Sequence, residues 1–162
     1  MLSIVRFGDP ILKKHSIVVP DINGEVRSLV SDMIEAMDRG KGVGLAAVQV
    51  GALLRLFVTR VSGDNPRVFI NPDILETSIE QEPFEEGCLS MPGLYTDVIR
   101  PSSVRIQAWN EKGRPFSLAT DGYLGRVIQH EFDHLNGILF IDRIEPKKRL
   151  RLLAAYQEKV EA

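Results

Sequence analysis

With one cysteine in 162 residues, Cys88, the chain can close no disulfide within itself, and its stability must come from a buried core. Long hydrophobic runs are missing too: no stretch approaches the ~20 apolar residues that a membrane-spanning helix needs. The amino terminus, MLSIVRFGDP, has no basic region followed by an apolar one, and it is no Arg/Ser-rich transit peptide, so a cytoplasmic location is expected. Neither sign of charge dominates. The formal net charge of -2 gives no reason to expect wholesale binding to nucleic acid. The remaining composition, 44% hydrophobic and 26% charged, is that of a soluble globular protein, expected as a single domain over residues 1–162.

Histidine is scarce as well, with three, and two of them fall in QHEFDHLNG, residues 129–137. His130, Glu131 and His134 form an HExxH motif. On a helix the two histidines stand one turn apart on the same face, so both imidazoles can reach one metal ion. Glu131, beside them, is placed to handle the proton of a water at that ion. Read at helical spacing from Tyr123 to Ile138, the chain puts Tyr123, Val127, His130 and His134 on one line and Leu124, Ile128, Glu131 and Leu135 on the next. Arg126, Gln129, Asp133 and Asn136 form the polar side. Glu131 thus lies on the apolar side, where a carboxylate without a partner is costly and a metal centre would relieve it.

The remaining chain reads as one early helix, a run of strands and one late helix. Residues Met1 to Pro20 form an extended arm with a turn at Gly8-Asp9-Pro10, and His15 sits in polar surroundings as a surface residue. Val26, Leu29, Val30, Met33, Ile34 and Met37 recur at helical spacing, with Asp21 or Asn23 as cap and Gly40 as stop. Gly42, Gly44 and Ala47 match the spacing of a dinucleotide-binding loop, but that loop needs a strand before it and a helix after it. Here the order is reversed, since a helix precedes the glycines and LLRLFVTRV after Gly51 reads as a strand. From Leu53 to Leu118 short strands alternate with turns: Val68-Phe69-Ile70 ends at Asn71-Pro72. Val104, Ile106 and Ala108 alternate with polar residues, and Asn110 to Gly113 is a hairpin loop. A last helix starts at Pro146. Its basic opening, Lys147, Lys148, Arg149 and Arg151, and its acidic end, Glu158 and Glu161, oppose the helix dipole. That basic face is either solvated or a docking surface. The order of elements predicts an α+β fold, mostly antiparallel strands wrapped around a central helix carrying HExxH, with an N-terminal and a C-terminal helix.

A zinc protease is the first reading of HExxH, and HEFDHLNG fits the opening of its extended form. The next ligand should then be a histidine where this chain has Phe140. A third ligand must come from elsewhere, and the best candidate is the single thiol, in Glu86-Gly87-Cys88-Leu89-Ser90. A thiolate with two imidazoles suits a divalent transition metal and leaves one position for water.

GVGLAAVQ at 42–49, EGCLS at 86–90 and QHEFDHLNG at 129–137 resemble the three signature motifs of the peptide deformylase family, in the family's order and approximate spacing. FGDPIL near the start, INP at 70–72 and the overall length extend the resemblance over essentially the whole chain. The family removes the formyl group from the N-terminal formylmethionine of newly made proteins, so the resemblance implies N-formylmethionyl nascent peptides as substrate. It implies Cys88, His130 and His134 as metal ligands, Glu131 as general acid/base, and the Gln49 side chain and Leu89 N–H as donors to the formyl oxygen. It implies iron(II), while this ligand set alone equally admits zinc, nickel or cobalt. It implies that backbone groups of Val43, Gly44 and Gly87 pair with the peptide as an added strand. Val43, Phe84, Tyr123 and Val127 are candidate walls for the methionine side chain, or simple core. Tyr95 stands where some relatives carry arginine, which puts a charged peptide contact there in doubt. Two other readings stay open: a metallopeptidase cutting internal bonds, and a non-catalytic ribosome-associated protein whose metal is structural. Structural sites usually have four protein ligands, against three found here.

Overall fold

The first helix, α1 (Gly24–Arg39), starts where the Asn23 side chain accepts the Val26 N–H at 3.1 Å and stops at Gly40; Asn23, rather than Asp21, is the cap. The computed structural model describes residues 2–161, with side chains to Gln157. Glu158 and Glu161, the acidic end expected for the last helix, lie outside the described side chains. Seven strands follow α1 in the described residues: β1 (Gly44–Ala46), β2 (Leu56–Thr59), β3 (Arg67–Thr77), β4 (Gln81–Cys88), β5 (Met91–Pro101), β6 (Ser103–Trp109) and β7 (Pro115–Asp121). They form a five-stranded sheet of order β1-β2-β3-β6-β7 and a separate β4-β5 hairpin, antiparallel throughout. Helix α2 (Gly122–Leu135) carries HExxH, and α3 (Pro146–Glu161) closes the chain. The α+β class and the antiparallel wrapping are as the sequence implied.

The sheet has a helix on each face, and this is why β2 is buried along its whole length. Leu56 and Val58 point to α1, joining Val26, Val30, Met33 and Met37. Phe57 points the other way, stacking on Phe69 at 4.6 Å and packing with Ile128 and Leu135 of α2. A third apolar cluster sets Met91, Leu94 and Val98 of β5 against Phe140 and Ile141, and Leu152, Leu153 and Tyr156 of α3 pack onto it. No helix among the described residues is long and apolar enough to cross a membrane.

Two local expectations change, at Pro72 and at the end of α2. The strand expected to end at Asn71-Pro72 continues to Thr77 through a register shift between Ile70 and Asp73. A bulge accommodates the missing Pro72 donor, and Asn71, at φ 50°, uses its side chain to bond both backbone groups of Val19 (2.8 and 3.0 Å). The glycines at 42 and 44 lead into β1 and then a 3-10 turn, Ala47–Val50, so the helix that a dinucleotide loop requires does not follow them. Helix α2 stops at Leu135, short of Ile138; Gly137 takes φ 73°, and a Cβ there would run into the Lys13 carbonyl.

Candidate active site

Helix α2 is buried on nearly every side. Arg126, Gln129 and Asp133, the polar side in a helical projection, are 5%, 6% and 5% exposed, because the β4-β5 hairpin covers them. Their charges are paired rather than solvated. Arg126 Nη1 donates to Glu86 Oε2 (3.0 Å) and to the Val98 carbonyl (2.7 Å), and its Nη2 donates to the Glu82 carbonyl (2.7 Å). Arg100, from β5, donates to Glu86 through Nε (2.6 Å) and Nη2 (3.0 Å), and to Asp133 through Nη1 (2.8 Å). This network locks the hairpin to the helix, and a buried ion pair holds its worth only when satisfied this fully.

The hairpin thereby delivers Cys88 to the histidines. A register shift between Gly87 and Cys88 breaks the regular ladder at the end of β4, which re-aims the side chain. Cys88 Sγ stands 3.5 Å from His134 Nε2, and one donor atom from each of Cys88, His130 and His134 lies within 4.8 Å of the others. Glu86 Oε1 meets His130 Nδ1 at 2.8 Å, which leaves Nε2 facing the thiol. A carboxylate behind a histidine in this way is the usual support of a metal ligand. A tetrahedral site with bonds of roughly 2.0–2.3 Å has edges of about 3.5 Å, so this donor set fits a divalent transition-metal ion.

Electrostatics favour a cation at that point. Burial disfavours a charged His130, yet the Glu131 carboxylate, Cys88 and Glu86 raise its pKa well above the ordinary value. Burial, followed by the charges of His130 and Arg100, pushes His134 well below it. The two rings are thus driven in opposite directions. Burial raises the carboxyl of Glu86, but the bonds from His130 and Arg100 prevail and bring it to about 2. Glu131 has no such anchors: burial pushes it up to about 7. Its Oε1 is buried without a hydrogen-bond partner, and its Oε2 lies 4.0 Å from His130 Nε2. A buried carboxylate with one oxygen unpartnered and the other near the imidazole nitrogen is placed to act on a water there.

A cavity of about 300 Å³ opens on these groups, lined by Val43, Gly44, Gln49, Gly87, Cys88, Leu89, Tyr123, Val127, His130 and Glu131 among others. Most of the residues singled out in the sequence therefore meet in one place. His134 sits behind the lining, 1% exposed. Phe84 does not line the cavity; it is 46% exposed and packs on the Tyr123 ring at 5.5 Å. Gln49 is anchored by the Ala46 N–H, which donates to its Oε1 (2.9 Å), so that its amide nitrogen faces Ser90 Oγ (3.1 Å) and Cys88 Sγ (3.4 Å). Gly44 lets the chain pass Glu131, since a Cβ there would come within 2.5 Å of Oε2, and the Tyr95 ring passes as closely over Gly87. Arg100, Arg126, Asp133 and Ser90 were not singled out for the site in the sequence. The acid two residues before the cysteine was a signal for Glu86, whereas the helix charges looked solvated. Phe140, excluded as a ligand, stacks on the His130 ring at 5.7 Å.

Two helix histidines and a hairpin thiol close enough to share a cation, with a buried carboxylate and an open cavity beside them, have the make-up of a metal-dependent hydrolase. The polypeptide deformylase family model matches residues 1–150, and the chain belongs to that family. It is 45% identical to a peptide deformylase of Borreliella burgdorferi, over 96% of this chain and 94% of that one. Its fold superposes on a Legionella pneumophila peptide deformylase with a TM-score of 0.93 at 35% identity, covering 99% and 96% of the two chains. A Synechococcus elongatus peptide deformylase, solved in complex with actinonin, gives 0.91 at 42% identity, covering 98% and 87%.

Proposed function

We infer that this chain hydrolyses the N-formyl amide of N-formylmethionyl peptides at the start of newly made proteins, releasing formate and a free amino terminus. Within the family match, the observation that carries this reading to the residues is the convergence of Cys88, His130 and His134 beside Glu131, at the cavity wall, whose Oε1 has no hydrogen-bond partner. Cys88 Sγ and the Nε2 atoms of His130 and His134 would hold the ion, iron(II) by resemblance. When bound, a divalent cation acidifies water and polarises a carbonyl oxygen.

The protein supplies the remaining steps. Glu131, whose carboxyl burial raises above the ordinary range, takes the proton of the attacking water and delivers it to the amine nitrogen as the C–N bond breaks. The Gln49 amide, turned inward by the Ala46 N–H, and the Leu89 N–H donate to the formyl oxygen as charge grows on it. Strand β1 is an edge of the five-stranded sheet, and the cavity lies between it and the end of β4. The backbone of Val43, Gly44 and Gly87 there can hold an extended peptide whatever its sequence. Val43, Tyr123 and Val127 offer walls for a methionine side chain, with Phe84 supporting Tyr123 from outside. On α3, Lys147, Lys148 and Arg151 are available for docking near a nascent chain on the ribosome, while Arg149 is engaged with Asp142 at 3.2 Å.

The test is formate release from a formyl-Met peptide, run beside the same peptide unformylated and assayed for internal cleavage. Formate from the first and no fragments from the second is the expected result. Fragments without formate would replace this reading with a metallopeptidase.

A further inference from the structure

The short helical turn Phe140–Arg143 joins α2 to α3, and nothing in the chemistry above uses it. It nevertheless grips α2 beside the ligand histidines. Phe140 stacks on His130, with 28° between the rings. Arg143 donates to Asp133 as a fork, Nε to Oδ2 at 3.0 Å and Nη2 to Oδ1 at 2.7 Å. The same Asp133 Oδ2 accepts Arg100 Nη1, Arg100 holds Glu86 through its other two donors, and Glu86 Oε1 meets His130 Nδ1. The side chains of Asp133, Arg100, Glu86 and His130 are 7%, 4%, 3% and 7% exposed, while that of Arg143 is 45% exposed. A continuous run of charge-assisted bonds thus links a residue at the surface to a ligand ring.

We propose that Arg143 is a positioning residue for His130, acting through Asp133, Arg100 and Glu86. The inference rests on the metal-ligand reading of His130. Its physical basis is the rigidity of the guanidinium plane. Arg100 engages two carboxylates with one planar group, so any tilt of Asp133 is passed on to Glu86. Arg143 sets that tilt, because its fork fixes both oxygens of Asp133 and its Nη2 is the side-chain donor to Oδ1. Without it, a buried carboxylate oxygen loses its donor and competes with Glu86 for Arg100. Lysine offers a point charge and cannot reproduce the fork. Glu86 then determines where His130 Nε2 points, as outer-shell carboxylates do.

A merely structural staple would make the same bonds, so the test needs a readout that stability alone does not move. Wild type, Arg143→Ala, Arg143→Lys and the control Arg149→Ala are stripped of metal and reloaded with cobalt(II). Affinity is measured by chelator competition, the visible absorption spectrum is recorded, and thermal unfolding is followed in parallel. Arg149→Ala breaks the bridge to Asp142 on the same turn but touches no member of the chain of bonds to His130. Arg143→Ala is expected to lose about tenfold or more in cobalt affinity, with a shifted spectrum. Arg143→Lys should fall between, and Arg149→Ala should keep wild-type affinity whatever its unfolding midpoint. Wild-type affinity and spectrum in Arg143→Ala would overturn the proposal, as would an equal loss in Arg149→Ala. Failure of the wild type itself to bind cobalt would instead overturn the metal-ligand reading, and this proposal with it.

Discussion

Replacing Gly44 by alanine isolates the part played by Glu131 without touching it. A Cβ at Gly44 would stand 2.5 Å from Glu131 Oε2, 2.8 Å from its Cγ and 2.9 Å from its Cδ, where ordinary contact begins at 3.4 Å. The carboxylate must retreat by about 1 Å, and a misplacement of that size in a reacting group costs on the order of 100-fold in rate. Overpacking should also lower stability by about 1–3 kcal/mol. Gly44 does not occupy the left-handed region of backbone space, so alanine adds no conformational strain of its own. The assay is steady-state formate release with metal content measured on the same sample. A displaced Glu131 lowers kcat with the metal retained, whereas a methyl group that merely blocks the peptide raises KM and leaves kcat alone. A variant with wild-type kcat would refute the placement of Glu131 as the proton carrier.

Glu131→Ala should keep its metal and lose turnover by about 100-fold or more; undiminished formate release in the metal-loaded variant would remove the assigned role. Gln49→Leu deletes an amide that the Ala46 N–H holds in place, and the loss of one donor to the developing charge should cost roughly 100-fold in kcat. An unchanged kcat there would assign the amide to packing alone. Stability should fall in acid. Glu86, at about 2 against an ordinary 4.5, contributes fully above pH 4.5 and loses its contribution as the pH drops toward 2, a difference worth about 3 kcal/mol. Urea unfolding across that window should show the decline in wild type and a shallower one in Glu86→Gln; parallel curves would contradict it.

Much of this site was legible because its chemistry depends on rare residues at fixed spacing. His130 and His134 are one helical turn apart in any α-helix, so their shared face needs no tertiary information. Cys88 was found by elimination, being the only thiol, and by likeness to a known motif. The Arg100–Glu86–Asp133–Arg143 system was not legible. Arg126 and Asp133 have the look of a solvated helix face, and nothing local says that a hairpin ending as far back as Pro101 will lie over them. Periodicity places a residue on a side of a helix, but burial of that side is decided by the rest of the fold. β3 misled for a similar reason, since Asn71-Pro72 is a strong stop signal that the side-chain bonds to Val19 override.

In the proposed site one sulfur and two ring nitrogens of this chain share a cation. X-ray absorption at the metal edge of anaerobically purified enzyme tests it most directly. A first shell with one sulfur at roughly 2.3 Å and two imidazole nitrogens at roughly 2.0–2.1 Å, the sulfur vanishing in Cys88→Ala, is the predicted result. A metal bound with no sulfur in its first shell would contradict the account.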